Sequence, residues 1–429
     1  MSTDQLTARG PAAAAFLVAD GDPYPGADEW VTTSAGHRMS ARTAWRVRNA
    51  VPRGTRRARR SRVGLFERWC AARGRVPTDP HTVPDYLTHL ADLQHPASTL
   101  DAHLGTLAGW LALTRYPLSD EDQLYCRAVV DQRARTEATE DAEEPGALQA
   151  AEATPEDLAA MVATCGTNPV GVRNRFLLLL EWYMAGRASE PAALNRRDVT
   201  VTTAAYLDPA TRRPVVREAL VVQVRSDKTN PHGRRERPVR LLAQDTEALC
   251  PVAAWRAWSA LIDAQGAGEG GPLLRRVSAR GVIASPDRQP PGRPTIKPGR
   301  GSGIGDRTVR NVIAAAAEAA DLVDPWTPEQ QAVLSTVAED AALSRLATAA
   351  EREAYRARLR VERRGLRRTR KRYSGHSMRR GCVRAMQRHK IPRAMIEQQA
   401  RYVAGSRALD RYLDDLPDWA DNPTAVMRL

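Results

Sequence analysis

Apolar residues recur at helical spacing through the first half of the chain. Val63, Phe66, Trp69 and Cys70, then Val83, Leu87 and Leu90, then Leu100, Leu104, Leu107 and Leu111 each mark one face of a short amphipathic helix. The turn-forming stretches PTDPHT and QHPAST separate these segments. A further helix is predicted to start at TPED. There Thr154 can cap, Pro155 fits the first turn, and Glu156 and Asp157 suit the positive end of the helix dipole. The period changes once, in ALVVQVRSDKTNPHGRRERPVRL, residues 219–241. Alternating Val and Leu on either side of a polar turn at Thr229-Asn230-Pro231-His232-Gly233 predict a β-hairpin. The expected fold class is mainly α with a small β-hairpin or sheet (α+β).

Charge then marks the boundaries. Residues 1–41 are weakly periodic and are expected to form a loosely ordered extension. Nine arginines and no acid lie between Arg42 and Arg62, opening a basic helical module over 42–136. Eight acids and no base lie between Glu137 and Asp157, which is the composition of a flexible, self-repelling linker, placed at 137–152. A larger domain follows over 153–429. One segment interrupts it. Residues 327–372 open on the capping pattern Thr327-Pro328-Glu329-Gln330 and continue as a long Ala/Leu/Arg/Glu helix, ending in a stretch with eleven bases and three acids. This helical, basic insertion reads equally as a DNA-contacting helix or as a solvated charged face.

Composition excludes several classes. No apolar run approaches the ~18 residues of a membrane span, and MSTDQLTARG lacks the basic-then-apolar order of a signal peptide. The five cysteines are scattered without a CxxC pair, which argues against a disulfide framework and a zinc site and suits a reducing cytoplasm. A net charge of +14 favours a polyanionic partner, nucleic acid first. An Arg-rich solvated surface is the plainer alternative. Arg56, Arg57, Arg59, Arg60 and Arg62 are the candidate DNA-backbone contacts.

Neither a phosphate-binding GxxxxGK[ST] loop nor a dense Asp/Glu cluster of the two-metal kind is present. Phosphodiester chemistry would then need fixed arginines to neutralise the phosphate oxygens, a histidine or lysine to manage protons, and a nucleophile. Four separated patches carry those residue types: MAGRASEPAALNRRDV with Arg187 and Glu190, SDKTN with Lys228, YSGHSMRRG with His376 and Arg379, and ARYVAGSRALDRYLDD with Tyr402 and Tyr412. As a set, in the order Arg, Lys, His-x-x-Arg, Tyr, they resemble the tyrosine recombinase (phage integrase) family over roughly residues 43–429. The helical module resembles that family's core-binding domain, and 153–429 its catalytic domain.

The resemblance implies a site-specific DNA recombinase that cuts and rejoins DNA through a 3′-phosphotyrosine, integrating or excising a mobile element. It implies no metal and no cofactor. Arg187 and Arg379 would clamp the scissile phosphate, His376 would assist proton transfer, Lys228 would protonate the leaving 5′-oxygen, and Tyr412 would attack. Tyr402 stands where the family carries His or Trp, a departure from its pattern. The implied partners are double-stranded DNA, three further copies of the chain in a tetramer on DNA, and a directionality factor, with no membrane. The implied location is cytoplasmic and nucleoid-associated. Glu190 reads as a partner that holds Arg187, and Arg380 as a structural residue or backbone-phosphate contact on another helix face. Two other classes stay open: a catalytically silent DNA-binding relative of the same fold, and a helical scaffold whose basic tracts bind nucleic acid nonspecifically.

Overall fold

The computed structural model describes residues 25–32, 38–79, 81–112, 116–140, 150–208, 211–225, 237–286 and 301–413. Over these residues the chain is mainly helical with a small antiparallel sheet. It divides into two compact units, Met1–Leu148 with Thr327–Leu366, and Gln149–Trp326 with Arg367–Leu429. Among the described residues no helix is long and apolar enough to cross a membrane.

The first unit opens with an antiparallel ribbon, β1 (Trp30–Thr32) and β2 (Arg38–Ser40), so these residues, read as part of a loosely ordered extension over 1–41, are instead held by strand pairing. Ser40 then caps α1 (Ala41–Asn49), its hydroxyl accepting from Thr43 N. Four longer helices follow: α2 (Arg53–Ala72), α3 (Thr82–Asp92), α4 (Ala97–Leu111) and α5 (Asp120–Glu140). The residues whose spacing predicts the apolar faces form the core, with Val63, Phe66, Leu87, Leu107 and Leu111 fully buried. Phe66 stands edge-on to Tyr86 at 5.1 Å, a favoured aromatic geometry. Burying each such side chain contributes about 1.5–3 kcal/mol.

Further expectations differ here. Residues 137–140, read as the start of a self-repelling linker, continue α5. Glu137 has work for its charge: it accepts from Ala97 N at 3.0 Å and pairs with Arg364 at 3.4 Å. Residues 141–149 lie outside the described residues. The segment 327–372, expected as one long helix, is three: α11 (Pro328–Leu334), α12 (Thr336–Leu343) and α13 (Ala349–Arg368). Each has its own cap. The Thr327–Gln330 capping box forms as the sequence suggests, Ser335 caps α12, and Thr348 with Glu351 satisfies the start of α13. Although it interrupts the second unit in sequence, 327–366 packs in the first. Arg73 pairs with Glu353 at 3.1 Å, and Arg360 donates to the Leu93 carbonyl.

The second unit is built around α7 (Pro169–Tyr183), whose residues Phe176–Leu180 are all fully buried. A helix apolar on every side has to be wrapped. The wrapping comes from α6 (Pro155–Ala163), α9 (Pro251–Ala264), α10 (Asp306–Ala319) and α14 (Gly375–Arg388). The predicted Thr154 cap forms, as a capping box with Asp157. Between α8 (Ser189–Ala193) and α9 lies a three-stranded antiparallel sheet in the order β3 (Val199–Leu207), β4 (Pro214–Val224), β5 (Arg237–Leu242). Its register sets Val222 opposite Val199 on one side and Val239 on the other. Leu220, Val222 and Val224 point inward, as their alternation predicts. β3 is an addition to the expected hairpin. It lies largely exposed, and the apolar alternation of VTVTTAAYL stops after its first four residues. The chain ends its described course with α15 (Arg393–Gln399) and α16 (Arg407–Leu413).

Candidate functional site

The site grows from the end of α7. Ala185 takes a positive φ of 45°, a left-handed cap that a non-glycine residue adopts only under local constraint. Gly186 N then bonds back to the Glu181 carbonyl at 3.0 Å, and the turn delivers Arg187. Glu190, in the first turn of α8, anchors it. Glu190 Oε1 accepts from Arg187 Nη1 at 2.9 Å and its Oε2 from Arg187 N at 3.2 Å. Arg187 keeps 20% of its side chain exposed, whereas Glu190 is buried. The expectation that Glu190 holds Arg187 matches this geometry.

A second segment meets that turn. Ser374 and Ser377 form a capping box at the start of α14. Gly375 lies so close to the Arg187 turn that a Cβ there would sit 2.9 Å from the Ala188 Cβ. Farther along, a Cβ on Gly381 would fall 1.8 Å from the Ala153 carbonyl oxygen, which also accepts from Trp182 Nε1 at 2.9 Å. The two glycines of GHSMRRG are therefore approach points for neighbouring backbone. Residues 150–152, read as the end of the linker, are docked here. Ala151 N bonds to the Arg372 carbonyl at 2.9 Å, and Glu152 pairs with both Arg384 and Arg388.

Arg379 is only 1% exposed. Its Nη1 donates to the Ala185 carbonyl, its Nη2 to the Ala400 carbonyl at 2.6 Å, and its Nε to the Tyr402 hydroxyl at 3.1 Å. Its guanidinium carbon also lies 4.2 Å from the Tyr402 ring centre. Burial pulls its pKa below the ordinary arginine value, and the Arg187 charge acts in the same direction. Arg380 is in a different situation, half-buried and donating to the Ala150 carbonyl at 3.4 Å. Helical rotation separates the two neighbours as expected.

The two tyrosines stand together. Tyr402 is buried and Tyr412 half-buried, with ring centres 6.3 Å apart. Burial raises the Tyr402 pKa, partly offset by Arg379. Tyr412 rides on α16, which is pinned to α14 by Arg384 Nε on the Tyr412 carbonyl at 3.3 Å and to α15 by Arg393–Asp410 at 2.6 Å. His376 lies exposed in the first turn of α14, three residues before Arg379. Lys228 lies outside the described residues, between the end of β4 and the start of β5.

The candidate DNA arginines belong to the first unit, in the first three turns of α2. Arg57 is exposed, and Arg56, Arg59, Arg60 and Arg62 are half-buried. Arg62 reaches Thr106 on α4 at 3.2 Å and Arg56 bonds to Asn49, so parts of this row also hold the module together.

Two residues were not singled out from the sequence. Arg401, with a positive φ of 55° and 1% exposure, donates to the Met184 carbonyl at 2.9 Å and pairs with Glu190. Glu181 is fully buried next to the Arg187 turn. The signal for Glu181 was a lone acid in the apolar run FLLLLEWYM. Arg401 carried none, since nothing in its local sequence sets it apart from the chain's many other arginines. Among the described residues no group of three or more His, Cys, Asp or Glu could hold a metal ion. Compared with protein-family models and with curated proteins, the chain matches none.

Proposed function

We propose that this chain is a tyrosine-type site-specific DNA recombinase, an integrase acting on a mobile element. The observation that carries this is the convergence, within one unit, of Arg187 with Arg379, Tyr402 and Tyr412, from two segments more than 190 positions apart. Arg187 and Arg379 stabilise the charge gained by the scissile phosphodiester as Tyr412 attacks. Donors preorganised in a water-poor site contribute about 2.7–4 kcal/mol each to such a transition state. Arg379 has five N–H donors and commits three to the protein, which leaves two for a phosphate. The Tyr412 oxygen takes the 3′-phosphate and the 5′-oxygen leaves, protonated by Lys228, with His376 assisting proton transfer. Rejoining reverses these steps with a partner strand's hydroxyl. Double-stranded DNA, a tetramer of this chain on that DNA and a directionality factor complete the proposal, in the cytoplasm at the nucleoid.

One observation favours a second reading, a silent DNA-binding relative: the guanidinium of Arg379 is nearly sealed from solvent. Covalent trapping separates the two. Nicked duplexes of randomised sequence are incubated with the chain and detergent-resistant adduct is collected. Wild type and Tyr402→Phe are expected to form adduct and Tyr412→Phe none. DNA binding without adduct in wild type would establish the silent reading.

A further inference from the structure

Glu181 is a buried ionisable group that the proposed chemistry leaves unused. It lies in the last turn of α7, is 0% exposed, and neither carboxyl oxygen has a hydrogen-bond partner. An ionised carboxylate in such a place is strongly disfavoured. Its position is specific. Oε1 lies 3.2 Å from where a Cβ on Gly375 would sit, and Oε2 2.9 Å from a Cβ on Gly186. Those glycines immediately precede His376 and Arg187, so the carboxyl fills the seam between the two turns that carry the site.

The charged groups acting on it come from three elements: Glu190 of α8, Arg379 of α14, and Arg401 following α15. Cys382 of α14 is buried close to the same two arginines. The other helices packed on α7 (α6, α9 and α10) contribute apolar residues such as Met161, Trp255 and Ile313 to the shared core. Burial, reinforced by the Glu190 carboxylate, pushes Glu181 up to about 8, against the pull of Arg401 and Arg379. With Glu181 neutral, three guanidinium charges face one carboxylate, leaving two positive charges for a phosphate that becomes dianionic on attack. With it ionised, one remains.

We propose that Glu181 is a positioning residue that holds a proton at neutral pH, and that losing this proton disables the arginine cluster toward a phosphodiester. The role rests on the recombinase reading. The ionised carboxylate offers acceptors inside the cluster and draws on Arg401 and on Arg379, the second of which the phosphate needs. The proton leaves to solvent and no covalent bond changes.

Two measurements on the full chain test this. In the first, thermal midpoints of wild type, Glu181→Gln and Glu181→Leu are compared across pH. The folded-state pKa is raised, so the proton's contribution to stability is complete below the ordinary carboxylate range and is lost as pH rises toward about 8. Wild type should therefore lose several degrees relative to both variants across that window and then level off. A difference independent of pH overturns the proton-holding claim, and either variant alone suffices if the other does not fold. In the second, adduct formation on the randomised nicked duplexes is followed from neutral to alkaline pH. Above about 8 the wild-type rate should fall relative to Glu181→Gln by ~10-fold per unit. Identical profiles overturn the positioning role. Absence of adduct in every protein overturns the recombinase reading instead, and the midpoints still decide the proton.

Discussion

Arginine is used in opposite ways in two regions of this protein. In α2 a row of arginines lies on the surface of a small helical module, half-exposed or exposed, with Arg57 open to water. Around α7 and α14, Arg379 and Arg401 are each 1% exposed and fastened to backbone carbonyls, Glu190 and Tyr402. The first arrangement suits a diffuse electrostatic surface, where each charge acts independently and salt screens it. The second is a fixed apparatus, in which each charge is tied to geometry and its loss leaves partners stranded in a dry interior. Residue type alone does not distinguish them; the neighbours do.

That contrast can be broken most forcefully at Arg379. Arg379→Ala should abolish adduct formation and destabilise the protein in denaturant unfolding by about 1–3 kcal/mol for each buried partner left unsatisfied, here the Tyr402 hydroxyl and two carbonyls. Arg379→Lys should not restore activity, since an ammonium cannot reproduce the fork. Gly381→Ala comes next. With a Cβ 1.8 Å from the Ala153 oxygen it must force α14 and the 150–153 segment apart, costing about 1–3 kcal/mol and lowering the thermal midpoint. Arg380→Ala, one position from Arg379, should cost about 1 kcal/mol or less and leave adduct formation intact. Arg57→Ala should leave stability within about 0.5 kcal/mol. It should still weaken DNA binding and lower the salt slope by roughly 1 in a titration over ionic strength. An unchanged slope would remove Arg57 from the interface.

Sequence reading reached the two regions unevenly, for physical reasons. The α2–α4 core was legible because each helix is half-exposed, so Val63, Phe66, Leu87 and Leu107 stand out against polar neighbours. The same contrast exposed the inner face of β4. It fades after the first four residues of β3, which is almost wholly exposed, and is missing from the splitting of 327–368, where local caps at Ser335 and Thr348 override a uniformly helix-favouring composition. Within the candidate site, Arg187, Glu190, Arg379 and the tyrosines were picked out because their motifs, as a set, resemble those of the tyrosine recombinases. Arg401 was not, because its importance comes from Glu190 and Met184, both more than 200 positions away. The packing of 327–366 with the N-terminal module was hidden for the same reason: it rests on long-range pairs such as Arg73–Glu353.

The central claim is that the fixed arginines serve a tyrosine nucleophile, and its most direct measurement is identification of the residue joined to DNA. Adduct trapped on nicked duplexes would be digested with nuclease and protease, and the peptide bearing the residual nucleotide sequenced by mass spectrometry. The mass should fall on Tyr412, in the peptide that follows Arg411. Attachment at Tyr402, at any other residue, or binding with no attachment at all would contradict the account.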